Sequence, residues 1–235
     1  MSDVGLSFGR VAELYDRVRP DYSQESLDRA QAVLGLDASA RVLDLAAGTG
    51  RLTSQLALRF ASVVAVEPDD AMRALNPQAE ALAGTAEEIP LPSASVDAVF
   101  VGEAFHWFDL DAALPEIRRV GSGLAVLVRS WGETEQPGLL PPPFWADLTD
   151  VWARFHGGGR DDFPDWRDVV HPEGPVRFVE TVAISGRDLV DLHLTASTPA
   201  SIPDEERAAL AARAYPLMDD VYDLRVVTDL YWSAA

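Results

Sequence analysis

The sequence predicts an α/β fold, a doubly wound, mainly parallel sheet with helices on both faces. Three observations carry this. In Arg41–Gly50 (Arg-Val-Leu-Asp-Leu-Ala-Ala-Gly-Thr-Gly), Val42, Leu43 and Leu45 make the short apolar run of a buried strand. Ala46, Ala47, Gly48, Thr49 and Gly50 then remove side-chain bulk where that strand ends, so the backbone can turn sharply and a ligand can lie against it. Arg51–Phe60 follows with Leu52, Leu56, Ala57 and Phe60 at helical spacing, completing the first unit of a nucleotide-binding sheet.

The remaining elements follow in order. Val11, Leu14, Tyr15 and Val18 share one helical face, and Pro20 ends that helix. Ser23–Leu34 reads as a second helix, with Leu27, Ala30 and Val33–Leu34 inward and Gly35 as its stop. Ser62–Val66 is the second strand and Asp69–Leu75 a short helix. Ser95–Val101 is the fourth strand. Asp109–Val120 is helical with Ala112, Leu114, Ile117 and Val120 inward, and Leu124–Val128 is the fifth strand. Residues 132–175 change character, with Pro137, Pro141–Pro143, Gly157–Gly159, Trp145, Trp152, His156 and Trp166. They read as a cap or lid inserted after the fifth strand, built on a helix over Phe144–Phe155 and jointed at Gly157–Gly159. Val176–Ile184 is then a strand, Asp188–Thr198 and Asp204–Leu217 are helices, and Leu224–Tyr231 is the last strand. The whole is one domain, 1–235, with lead-in helices over 1–38.

Composition narrows the function. Thirty-eight acidic against 19 basic residues give a net charge of −19, which repels nucleic-acid phosphates. A small molecule is therefore favoured over DNA or RNA. The absence of cysteine excludes disulfides, thiolate metal sites and a cysteine nucleophile. Together with the lack of a signal pattern or a long apolar run, it points to a cytoplasmic protein that does not enter a membrane. The four histidines are far apart and no ligand spacing appears, so no metal is expected.

The first loop is specific in its detail. A dinucleotide fingerprint would need a third glycine where Thr53 stands, and no Gly-Lys-Ser/Thr of a P-loop follows. What is present is Asp44 inside the strand end, followed by Gly48-x-Gly50. This resembles the first motif of the class I S-adenosylmethionine-dependent methyltransferases, Asp/Glu-x-Gly-x-Gly-x-Gly, with Ala46 at the first glycine. Glu67, at the end of the second strand, sits where an acid accepts hydrogen bonds from ribose hydroxyls, and the resemblance assigns it the same role. The lead-in Phe8–Tyr22 and the segment Ala-Phe-His-Trp-Phe at 104–108 are similar to the type 11 group of these enzymes, the group of trans-aconitate methyltransferase. The resemblance covers residues 8–131.

The resemblance implies a seven-stranded Rossmann-like sheet of order 3-2-1-4-5-7-6. It also implies S-adenosylmethionine as cofactor, held by Asp44, Ala46, Gly48, Gly50, Glu67, Pro68, Met72, Thr85, Ala86, Glu87 and Glu103. The acceptor would be an oxygen or sulfur of a small organic molecule, in a setting such as secondary metabolism. Its site would be built from Tyr15, Arg19, Phe105, His106, Trp107, Arg129 and Trp131. His106 and Tyr15 are the candidate catalytic residues. His106 is either a base, with an ordinary pKa of about 6.5, or a structural hydrogen-bonder beside Trp107. Arg129 offers a fork-shaped cation suited to a carboxylate or phosphate, or it pairs with Glu103 or Asp16. The competing readings are non-methylating chemistry on the same fold, and a nicotinamide oxidoreductase or binding module, against which Thr53 argues.

Overall fold

The computed structural model describes residues 7–77, 81–155 and 165–234. Seven strands form one sheet in the order β3-β2-β1-β4-β5-β7-β6, as expected. These are β1 (Arg41–Leu45), β2 (Ser62–Val66), β3 (Ala81–Leu82), β4 (Ala98–Gly102), β5 (Gly123–Ser130), β6 (Glu173–Ser185) and β7 (Val221–Ala234). The first five run parallel, and β7 inserts antiparallel between β5 and β6.

Alternation along β1 shows why these residues are strands. Leu43 and Leu45 join Val99, Val101 and Val126 on one face, against Ile117 and Val120 of α5 (Leu110–Val120). Val42 joins Ala98, Phe100 and Leu127 on the other. There they meet Leu27 and Ala30 of α2 (Gln24–Val33) and Leu52 and Leu56 of α3 (Arg51–Ala57). Burial of both faces is what a continuous apolar strand requires.

A third apolar cluster lies beyond the sheet's carboxyl edge. Phe144, Leu148 and Val151 of α6 (Pro142–Phe155) pack with Val18 of α1 (Ala12–Val18) and Leu189 and Leu192 of α8 (Gly186–Leu194). Leu210 and Ala214 of α10 (Asp204–Ala214) complete it, with Leu224 and Val226 of β7. The cap helix is thus rooted in a core of its own.

Several expectations need correction. Ala113, not Ala112, is the inward alanine of α5. The helix after Ala57 is already over, and Ala57 itself is exposed. The helix expected over Asp188–Thr198 divides into α8 and the short Ser197–Ser201, because Thr195 turns its hydroxyl back onto the Leu192 carbonyl at 2.7 Å. The last two strands are longer than their apolar runs, since the β6–β7 ladder continues through polar residues at both ends. Gly157–Gly159 and His156 lie outside the described residues.

Candidate active site

The carboxyl ends of β1, β4 and β5 meet at one place, where open α/β sheets bind ligands. β1 ends at Leu45, and Ala46 follows in the left-handed region at φ 58°, where glycine is favoured and alanine is strained. Gly48 at φ 57° and Gly50 at φ 85° complete the turn. A side chain at Gly50 would also strike Asn76, whose side chain lies 2.6 Å from the position a Cβ would take.

Two buried acids hold this loop. Asp44, 1% exposed, accepts a 2.6 Å hydrogen bond from the hydroxyl of Thr53. Thr53 therefore does in this chain what a third glycine could not. Burial pushes the Asp44 carboxyl up to about 7, against the pull of that hydroxyl. Glu67, 6% exposed, spans the next gap. Its two oxygens accept the backbone N–H of Gly48 at 2.8 Å and of Asp69 at 2.9 Å. Burial raises Glu67 above the ordinary carboxylate range, and the two N–H donors oppose it.

A small pocket of about 30 Å³ lies over the loop, walled by Asp44, Ala46, Ala47, Gly48, Thr49 and Gly102, with Tyr15, Tyr22 and Arg129 closing it. The Thr49 hydroxyl is buried without a partner. Met72 packs beside Gly48, its methyl 3.3 Å from where a Cβ would stand. Pro68 follows Glu67 and is half-buried.

Next to it opens a cavity of about 400 Å³. The register places Gly102 opposite Leu127, so Arg129 lies just past the end of β4. Glu103, at φ 62°, turns back and its carboxylate accepts the backbone N–H of Arg129. The predicted residues Tyr15, Arg19, Glu103, His106, Trp107, Arg129 and Trp131 all line this cavity. His106 is on its exposed rim, its ring 4.7 Å from that of Trp107.

Not every candidate reaches either space. Phe105 is 1% exposed and packs in the core between Phe108 and Trp166, at ring distances of 5.4 and 5.0 Å, so it does not face an acceptor. Ala86 is buried in the same core. Glu87 accepts the Asp109 backbone N–H at 3.0 Å, and Thr85 bridges to Glu88; neither lines the pocket or the cavity.

The cavity also contains residues the sequence did not suggest. Trp145 and Trp152, seven apart on α6, meet edge-to-face at 5.2 Å and form part of the wall. His193 of α8 is a second cavity histidine, so His106 is not alone there. Its Nδ1 lies 2.8 Å from the Leu189 carbonyl, and burial lowers its pKa. Each of these sits on an amphipathic helix, where an inward aromatic or histidine reads as core; only the folding of α6 and α8 over the sheet edge brings them to the cavity.

Comparison with known proteins agrees with this geometry. Residues 43–126 match the family described as "Methyltransferase domain". An uncharacterized methyltransferase of Mycobacterium tuberculosis is 50% identical over 122 residues, 50% of this chain and 49% of the relative. The chain thus spans about half the length of the mycobacterial relatives it matches. An uncharacterized methyltransferase of Schizosaccharomyces pombe is 26% identical across 98% of this chain and 97% of its own length. The malonyl-[acyl-carrier protein] O-methyltransferase of Methylococcus capsulatus is 37% identical over 129 residues, 50% of this chain and 46% of that protein. Among solved structures, a candidate type II methyltransferase from Anaeromyxobacter dehalogenans superposes with a TM-score of 0.58 at 21% identity, covering 92% of this chain and 97% of that one. Residues 43–126 are therefore similar to the methyltransferase-domain family, and the sheet built around them has the class I methyltransferase fold.

Proposed function

We propose that the chain is an S-adenosylmethionine-dependent methyltransferase whose acceptor is an oxygen or sulfur of a small organic molecule. The observation that supports this best is a cavity of about 400 Å³ at the carboxyl end of the sheet, opening beside the tight Ala46–Gly50 turn, with Tyr15 and Arg129 lining the cavity and also bordering that turn. A transfer reaction needs its two ligands side by side, and a cavity next to such a turn is where they would meet.

The residues present fit the cofactor. Glu67 keeps unused lone pairs on a buried carboxylate for ribose hydroxyls, and the orphaned Thr49 hydroxyl faces a pocket that a ligand would fill. Gly48 and Gly50 give the loop its close approach, with Ala46, Asp44 and Glu103 at its edges. Met72 and Pro68 offer an apolar side, whereas Thr85, Ala86 and Glu87 line neither space. Bound S-adenosylmethionine supplies an electrophilic methyl group.

The chain's own residues then orient the acceptor and exclude water. His106 and Tyr15 stand in the cavity wall. His106 accepts a proton from a hydroxyl acceptor at Nδ1 or Nε2, or positions an acceptor that is already ionised. Trp107 and Trp131 wall the site, together with Trp145 and Trp152 of the cap helix. The oxygen acceptor in the name of the Methylococcus relative favours oxygen over sulfur. The acidic surface and the small cavity favour a metabolite, with secondary metabolism as a setting and the cytoplasm as the location. Among the described residues no helix is long and apolar enough to cross a membrane.

The test is incubation of the purified protein with a metabolite extract and S-adenosylmethionine labelled in its methyl group. A product heavier by one labelled methyl supports the reading. Cofactor consumption with a product lacking the label would point to non-methylating chemistry.

A further inference from the structure

We propose that His193 is a specificity-determining residue, whose Nε2 accepts a hydrogen bond from a hydroxyl on the acceptor, and that the acceptor class is a hydroxylated aromatic compound. The proposal rests on the methyltransferase reading and narrows it.

His193 stands near the end of α8, on the cavity wall, and is 6% exposed. Its Nδ1 lies 2.8 Å from the Leu189 carbonyl, one turn back. A carbonyl only accepts, so Nδ1 carries a proton. Burial lowers the pKa of the ring and the Arg19 charge acts the same way, while the Leu189 carbonyl and the Glu133 carboxylate oppose them. The ring is therefore neutral at about pH 7, and its second nitrogen keeps a lone pair. Among the described residues nothing donates to Nε2, and Nε2 is not one of the fully enclosed polar atoms. A Cβ at Gly132, which sits at φ 68°, would run into Nε2, so glycine there keeps the nitrogen uncovered. Phe144 meets the ring edge-on at 6.3 Å and fixes its plane.

The charged groups of the same wall are unsuited or engaged. The guanidinium groups of Arg19 and Arg129 can only donate. Glu133 accepts the Gly138 and Leu140 backbone N–H groups, one on each carboxylate oxygen and each at 2.6 Å. Glu103 accepts the backbone N–H of Arg129. His106 lies on the exposed rim, where water competes for it. A ligand hydroxyl entering the cavity thus finds a neutral, buried acceptor in His193. An analogue without that hydroxyl leaves Nε2 unpaired and loses affinity, which is how a buried polar group discriminates between ligands. Trp107, Trp131, Trp145 and Trp152 line the cavity and favour a flat aromatic body behind the hydroxyl.

The protein, saturated with S-adenosylhomocysteine, is titrated by calorimetry with para-hydroxyacetophenone and with acetophenone, which lacks only the hydroxyl. The parent should bind the hydroxylated probe about ten-fold more tightly. His193→Asn keeps a donor for the Leu189 carbonyl and removes Nε2, and it should level the two affinities. His193→Gln returns an acceptor near the place of Nε2 and should restore part of the preference. Equal affinity of the parent for the two probes, or binding of neither, would overturn the proposal, as would a preference that survives in His193→Asn. Nitrogen NMR of the histidine-labelled parent tests it without any variant. Nε2 of His193 should be unprotonated, and its resonance should move with para-hydroxyacetophenone and not with acetophenone; a protonated Nε2, or no movement, would overturn the proposal. Failure of the parent to bind S-adenosylhomocysteine at all would instead sink the methyltransferase reading.

Discussion

Asp44 sits mid-sheet, paired in register with Ala65 on one side and Phe100 on the other, and burial raises its carboxyl to about 7. An unfolded aspartate titrates near 3.9, so folding favours the protonated form between those values. The stability Asp44 contributes is therefore complete below about pH 3.9 and is lost as pH rises through about 7. Asp44→Asn keeps an acceptor for Thr53 without a buried charge. It should match the parent in urea unfolding free energy at about pH 4 and exceed it by up to about 4 kcal/mol at about pH 8; parallel pH curves would refute the buried-charge account. His106 gives a second prediction at this scale. His106→Ala should leave cofactor affinity within a few-fold and lower turnover by about 10²–10⁴ if the side chain is a base, with recovery at high pH. Normal turnover at neutral pH would make His106 structural. Single residues were legible where chemistry and strand position coincide. Glu67 and Asp44 stand out in sequence as acids at apolar strand ends, whereas their hold on the loop through Gly48, Asp69 and Thr53 does not. Phe105 could not be placed, because a phenylalanine beside a histidine reads equally as cavity wall and as core, and its contacts with Phe108 and Trp166 depend on the distant placement of 166.

At the scale of elements, strands and helices followed from the alternation of short apolar runs with helical patterns, their order in the sheet was implied by the family resemblance, and the observed order agrees. What sequence could not give was how α6 and α8 meet. The break at Thr195 is a case in point. The polar run after Leu194 reads as continued helix, yet Thr195 ends α8, and its hydroxyl and carbonyl are the groups that hold Arg19. The cap helix likewise reads from sequence as an insertion, whereas Leu148 is fully buried among Val18, Leu189 and Leu192. Leu148→Ala should cost about 2–5 kcal/mol in urea unfolding, the range for a deeply buried leucine. A loss below about 0.5 kcal/mol, the scale of surface substitutions, would show that α6 is only loosely docked.

For the whole molecule, a cavity of about 400 Å³ opens beside the first loop at the carboxyl edge of the sheet, and the lead-in helix, β5 and the cap contribute to its wall. Glu67 ties the second strand to the loop of the first, so its carboxylate stands where the fold meets the proposed cofactor site. The most direct measurement is calorimetric titration of S-adenosylhomocysteine into the parent and Glu67→Ala proteins, each first shown to be folded. The parent should bind one equivalent, and the variant should bind more weakly by about 10- to 100-fold, because a charged acceptor for hydroxyls contributes roughly 1.5–3 kcal/mol per bond. Absence of binding to the parent, or equal affinity in a folded Glu67→Ala variant, would contradict the placement of the cofactor over this loop.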